Sequence, residues 1–410
     1  MNMENTMNSI SKQTSQPASR DHYIDNIKGV FIYLVVLGHL LDYLNQMDVP
    51  FSIGMQTLIY FFHMPGFVFL SGYFAKSFVK KRFKGEILLN YAWLYLLFKI
   101  AIEIVQGTFD RPYFAGTKHN GLILAITLGY AILTLILAWA YRTYPAFQIV
   151  FMVLVVAYSL IKVNIFYVGA TPWYLLSLIF WYIFIYLTKN MNPKCVMLAA
   201  VVMAAVLDYQ EEIGKFLSLS RTINFLPFFL LGFYMTREQF YRIMNHKKLK
   251  VILPVIFYLL MAVILRFGTH VRKACGIFIF GVSSYEGLSD EMYGYAPLFA
   301  LLWMAIATVM FLAVFIICPR KKTFLSTIGK NSIAVYVFHR LVKDLLYYLG
   351  FYSVLSSNQL IAVGQVALAA LGVTLLFGNP FSAKIVTDLS EIKAHWFYKN
   401  GDVYYDEFRK

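Results

Sequence analysis

Long apolar stretches alternate along the chain with short clusters of charged and turn residues. No Asp, Glu, Lys or Arg falls within Val49 to Ala75, Val163 to Thr188, Met292 to Pro319 or Leu345 to Ala383. A helix needs about 20 predominantly apolar residues to cross a hydrocarbon layer about 30 Å thick. Twelve segments approach that length: 27–46, 52–75, 87–106, 121–140, 146–162, 172–188, 195–210, 222–236, 251–267, 294–317, 331–349 and 358–378. The pattern predicts an all-α, polytopic transmembrane helix bundle of about 10–12 spans. Segments 195–210 and 222–236 are short and read as tilted, broken or re-entrant. The bundle occupies 20–380, with a disordered cytoplasmic tail over 1–19 and a cytoplasmic C-terminal tail over 381–410.

Composition supports this picture. Hydrophobic residues make up 60% of the chain and charged residues 14%, against about 45–50% and about 25% in soluble domains, which excludes an ordinary soluble enzyme. A net charge of +15 would suit a nucleic acid, but the position of the cations points elsewhere. With the N-terminus in the cytoplasm, one set of loops holds Lys76 to Lys84, Arg142, Lys189, Lys194, Arg237 to Lys250 and Arg320 to Lys330. The opposite loops hold Arg111, Lys118, Lys162, Lys215, Arg221, Arg266, Arg272 and Lys273, about half as many positive charges. The bias predicts a multi-pass cell-membrane protein with both termini inside, partnered by membrane lipid and not by nucleic acid. Cys195, Cys275 and Cys318 are isolated and offer neither a disulfide framework nor a metal-ligand spacing.

Ionisable groups inside the spans are costly, about 2.5–3.5 kcal/mol each on insertion scales, and are functional candidates for that reason. The first span carries Asp25, Lys28, His39 and Asp42. Lys28 and His39 are eleven residues apart, so they share a helix face within about 20° and differ by roughly 16 Å in height. Asp25 and Asp42 join that face at the three-residue spacing. The stripe runs from a cation at the membrane boundary to an imidazole that a carboxylate can orient. Taken alone, His39 reads first as a packing histidine bonded to a neighbouring helix; four such groups on one face favour a site.

In the second span, Pro65 follows His63 and lacks the backbone donor, so a helix break beside a polar cavity is expected, with Ser71-Gly72 letting another helix approach. Trp173 opens a later span, Arg221 precedes a Pro-broken segment, and His339 and Arg340 lie in the middle of another helix.

These segments together resemble the membrane-bound acyltransferase-3 family, and within it the sugar O-acetylases of the fucose 4-O-acetylase-like branch. The resemblance rests on Asp25, Lys28-Gly29 and Leu37-Gly38-His39, and on His63-Met64-Pro65 followed by Phe69-Leu70-Ser71-Gly72. It extends through Trp173-Tyr174-Leu175, Leu226 to Gly232, and Gly329-Lys330-Asn331-Ser332 with Tyr336 and His339. Lys28 stands where many members have Arg, which keeps the charge but loses the bidentate fork. Gly66 replaces a bulkier residue, and no hydrolase-like domain follows the membrane part within this sequence, which points to the shorter members acting on capsular or exopolysaccharide sugars.

The resemblance implies transfer of an acyl group, usually acetyl, from cytoplasmic acyl-CoA to a hydroxyl of a glycan or lipid-linked sugar. Acetyl-CoA would be a donor substrate, with no permanently bound cofactor. His39 is then the expected general base, or alternatively a transient acyl carrier, with Asp42 orienting it; its ordinary pKa of about 6.5 suits that work. Lys28, with Asp25 beside it, would hold the donor. His63, Ser71, Trp173, Arg221 and His339 are candidates for the substrate or acyl path. The competing reading is a transporter or flippase for a lipid-linked sugar, since Pro-broken helices and buried charges also describe transporters. A repeat relating the two halves would favour transport, and none is visible. An accessory scaffold would leave the buried stripe without a use.

Overall fold

All twelve apolar segments form helices in the computed structural model, which describes residues 21–80, 85–110, 119–168, 172–281 and 284–392. The tail over 1–19 and the cations Lys81, Arg82, Lys84, Arg111 and Lys118 lie outside the described residues. The chain begins with α1 (His22–Leu40), which passes through Leu41 into the short α2 (Asp42–Gln46), followed by α3 (Pro50–Lys80), α4 (Gly85–Phe109), α5 (Asn120–Thr143) and α6 (Pro145–Lys162). Then come α7 (Trp173–Leu187), α8 (Pro193–Val206), α9 (Leu219–Asn224), α10 (Leu226–Tyr234), α11 (Arg237–Asn245), α12 (Leu249–Arg266) and α13 (Gly268–Phe280). The last third holds α14 (Ala296–Ile317), α15 (Phe324–Lys330), α16 (Ser332–Tyr348), α17 (Gln359–Phe377) and α18 (Pro380–Ser390). Among the described residues the extended pairing amounts to one isolated bridge, Tyr167 with Phe216.

Local chemistry sets many of the boundaries. Asn192, Asn358 and Asn379 cap α8, α17 and α18 through their side-chain oxygens, and Pro193 and Pro380 sit in first turns, where a missing N–H costs nothing. Thr236 and Thr323 close capping boxes on α11 and α15.

Among the described residues, eight helices are long and apolar enough to cross a membrane. The other predicted spans are helical but shorter: α7 has 15 residues, α8 has 14, α16 has 17, and the 222–236 segment divides at Phe225 into α9 and α10, with Pro227 in the first turn of α10. Pro65 does not break its helix. α3 runs without interruption for 31 residues, because α1, α10, α13 and α14 pack around it and hold its course. α13 occupies a stretch that the sequence pattern reads as a loop carrying Arg272 and Lys273; it starts at a close contact between Gly268 and Gly54 of α3.

Most of the hydrophobic stripe of α1 and α3 is covered by protein, whereas α5, α6 and α12 are covered least. Leu124, Leu128 and Ile132 on α5, and Val251, Val255 and Leu259 on α12, face outward, as a lipid-facing surface requires. Two glycine crossings tie the centre together. A Cβ on Gly72 of α3 would overlap the Phe229 carbonyl of α10, and one on Gly329 of α15 would overlap the Asp25 carbonyl of α1. Small residues at these points let backbones meet where side chains could not. Gly66 has a different environment: the Phe31 ring and the Phe311 Cβ fill the space where the bulkier family residue would stand.

Candidate functional site

Three helices turn a polar stripe toward a common line. On α3 it is Ser52, Gln56, Tyr60, His63 and Ser71; on α16 it is Ser332, Tyr336, His339 and Lys343; on α1 it is Lys28 and His39, continued by Asp42 at the start of α2. Spacings of three, four, eight and eleven keep each set near one face.

His39 lies at the C-terminal end of α1, its side chain 23% exposed, with Nδ1 3.7 Å from Asp42 Oδ2 and 3.4 Å from the Tyr60 hydroxyl. The Asp42 contact is longer than a closed hydrogen bond and orients the ring electrostatically. Asp42 itself is clamped from two further helices. Lys343 of α16 pairs with Oδ2, and Gln56 Nε2 of α3 donates to Oδ1 at 2.5 Å and to the Gly38 carbonyl at 2.7 Å. Gln56 Oε1 accepts from Asn45 Nδ2 at 2.7 Å and from Arg272 Nη1 at 2.6 Å, so this buried amide uses both of its ends. Arg340 and Asp344 form a second buried pair one turn away, with Gln106 Nε2 donating to Asp344 at 3.2 Å. The charges on α16 are thereby matched within the protein, as a low-dielectric interior demands.

His339 faces His39 with ring centroids 5.3 Å apart. Its Nδ1 donates to the Val335 carbonyl at 2.9 Å, which leaves Nε2 as a buried acceptor that makes no hydrogen bond. His63 is similarly tied, Nδ1 to the Ile59 carbonyl at 2.8 Å, and its ring lies 4.7 Å from that of Tyr60. Both are sealed from solvent, at 2% exposure or less, while His39 is not. Of the three imidazoles, His39 is the one a substrate can reach.

Toward the N-terminal end of α1 a cavity of about 200 Å³ is lined by Lys28, Val35, Ser71, Tyr174, Ser332 and Tyr336, among others. Ser71 is hydrogen-bonded to the Tyr174 hydroxyl. The rings of Tyr174 and Tyr336 are 5.8 Å apart, and that of Tyr336 is 6.0 Å from His339, so an aromatic partition separates the cavity from the histidines by one helical turn. Lys28 lies 5.7 Å over the Phe74 ring. On the same face, where Asp21 before α1 pairs with Arg237 at 3.7 Å, a wider cleft of about 690 Å³ is lined by Lys76, Lys189 and Arg237. On the opposite face, beside Asp42, Asn45 and Arg272, a third cleft measures about 320 Å³.

The structure therefore brings Lys28, Ser71, His39, Asp42, His63 and His339 onto one line. Arg221 and Trp173 stand beside it: Arg221 Nε donates to the Phe280 carbonyl at 3.2 Å, its guanidinium lies 5.2 Å over Trp173, and Phe280 packs on Tyr60 at 5.1 Å. Asp25 is separate, buried where α1 crosses α15 and not among the residues lining the cavity. Sequence reasoning missed Gln56, Tyr60, Lys343 and the contact role of Arg272. The signal was present for three of them: Gln56 and Tyr60 precede His63 at helical spacing on a span that carries no charge, and Lys343 follows His339 by four.

A partly exposed imidazole held by a clamped carboxylate can take a proton from a hydroxyl, and a cavity with a cation at its mouth can admit an anionic donor. No curated protein and no solved structure matches the chain. The sequence model of the acyltransferase domain family matches residues 21–378, and the chain belongs to this family, the acyltransferase-3 proteins, as a multi-pass membrane acyltransferase.

Proposed function

We propose that the protein transfers an acetyl group from acyl-CoA to a sugar hydroxyl of a cell-surface, capsular or exopolysaccharide glycan, with His39 as general base. The observation that carries this reading is His39, partly exposed and oriented by an Asp42 that Lys343 and Gln56 hold, one turn beyond a cavity whose mouth carries Lys28. The Lys28 face is the cytoplasmic face of the cell membrane, and both termini lie on that side. Lys28 and the cleft bearing Lys76, Lys189 and Arg237 attract the phosphates of CoA. The acyl end of the donor passes Ser71 and the Tyr174–Tyr336 partition toward His39.

With Asp42 favouring the proton on Nδ1, Nε2 of His39 carries the basic lone pair. It accepts the proton of the sugar hydroxyl as the oxygen attacks the thioester carbonyl. The new C–O bond forms, the C–S bond breaks, and the proton returns from His39 to the departing CoA thiolate. Atoms and charge balance, and the imidazole ends neutral.

The test uses the full-length protein in lipid nanodiscs with acetyl-CoA and the glycan of the producing strain, following thiol release and acetyl esters together. His39→Ala is expected to lower ester formation by about 10²–10⁴-fold, the range for a positioned acid–base group, with an unchanged thermal unfolding midpoint. Undiminished transfer by a folded His39→Ala protein overturns the assignment.

A further inference from the structure

Resting on the acyltransfer reading above, we infer that the cleft on the His39 face binds the acceptor and selects a sugar unit carrying an anionic group, a carboxylate or a phosphate. The cleft of about 320 Å³ is lined by Asp42, Asn45, Gln46, Asp48, Ile53 and Arg272. Hydrogen-bonding side chains of both senses are what a sugar needs, and Arg272 supplies a charge that a neutral sugar does not need.

Arg272 is pre-positioned. Its Nη1 is fixed on Gln56 Oε1 at 2.6 Å, and its guanidinium lies 5.0 Å over the Phe280 ring. It forms no ion pair among the described residues, so the rest of its planar fork is available to a ligand in the cleft. Asp42 attracts it through space but makes no hydrogen bond or ion pair with it, its two oxygens being held by Lys343, His39 and Gln56. A half-buried guanidinium stacked on a ring matches the bidentate geometry of carboxylate and phosphate oxygens.

Arg272 is the one cation among the residues that line the cleft. Arg266, His270 and Lys273 lie on or next to α13 but do not line the cleft, and Asp48 is the one acid in it besides the engaged Asp42. These cations occupy the face that the loop bias leaves poor in Lys and Arg, where topology gives no reason to keep them. Arg221 donates to the backbone carbonyl of the same Phe280, whose ring packs on Tyr60, and Tyr60 reaches His39. An anion on Arg272 is thus linked through Gln56 and Asp42 to the base.

The experiment uses full-length protein in nanodiscs with acetyl-CoA and three oligosaccharides: one neutral, one containing a uronic acid, and one carrying glycerol phosphate. At least one anionic acceptor is expected to exceed the neutral one in kcat/KM by about tenfold or more, the worth of one charge-assisted bidentate contact. Which of the two does so assigns the group as carboxylate or phosphate. In Arg272→Gln the anionic-over-neutral ratio is expected to fall to about one, mainly through KM, and Arg272→Lys should restore part of it. A neutral acceptor used as well as the anionic ones overturns the inference, as does an Arg272→Gln protein that loses both in equal proportion. Failure of the underlying reading looks different: wild-type protein would then release no thiol and form no ester with any acceptor.

Discussion

At the residue scale, the organising group is the Asp42 carboxylate and not the histidine it orients. Lys343, Gln56 and His39 reach it from three different helices. Removing one partner of a buried pair leaves the other without compensation, which costs more than the pair itself contributes. Lys343→Met is therefore expected to destabilise the protein by about 1–3 kcal/mol and to slow transfer by leaving His39 poorly oriented. Lys343→Met combined with Asp42→Asn should regain much of the stability while activity stays low. Thermal unfolding and kcat, measured on both singles and the double variant, check this; a double variant whose losses simply add would mean that the two side chains are energetically independent. His39 and Asp42 were legible in the sequence because they belong to one helical stripe. Gln56 and Lys343 carry the same kind of signal on α3 and α16, yet periodicity shows only which face of a helix is polar. That these faces meet depends on tertiary packing, which no single helix records.

At the scale of elements, the sequence marked where the helices are better than how they behave. Twelve apolar segments became helices, but Pro65 lies in an unbroken α3, while Pro227 marks a real division of its segment. The difference is position: Pro227 stands in a first turn, where its missing donor is not needed, whereas Pro65 is kept in line by the helices packed around it. α13 escaped because its polar start resembles a loop. Ser71-Gly72 was legible as a place of close approach, and the neighbouring backbone at Gly72 is the Phe229 carbonyl. Gly72→Ala is expected to be more disruptive than Gly66→Ala, because the first pushes on a backbone that cannot move without parting α3 from α10, and the second pushes on side-chain atoms of Phe31 and Phe311. Overpacking of this kind costs about 1–3 kcal/mol or more. Unfolding midpoints in detergent are the check, and an equal or reversed order would show that the α3–α10 crossing is looser than described.

At the scale of the whole molecule, charge is divided between two faces. Lys28, Lys76, Lys189 and Arg237 surround openings at one end of the bundle, and Arg272 with its neighbours stands at the other. Attraction between exposed charges weakens as the screening length falls from about 10 Å at 0.1 M salt to about 3 Å at 1 M. Raising salt is therefore expected to increase KM for acetyl-CoA several-fold with little change in kcat, and Lys28→Ala should flatten that dependence while Lys28→Arg preserves it. A KM that is insensitive to both salt and Lys28→Ala would remove the electrostatic role of that face. The resemblance to a family drew attention to the right helices, but the second and third polar stripes, and the cleft beyond them, are properties of the assembled bundle.

The two glycine crossings have a mechanical consequence. At Gly72 against Phe229 and at Gly329 against Asp25, backbone meets backbone with no side chain between. Each contact acts like a key in a slot, since sliding α3 along α10 or α1 along α15 would drive a Cβ-bearing neighbour into a carbonyl oxygen. The central helices are thus locked in register, and a rocking of one half of the molecule against the other is barred at two points. Any change in the way through the bundle would then have to come from side chains, and the Tyr174 and Tyr336 rings, 5.8 Å apart, are the ones that stand between the Lys28 cavity and the histidines.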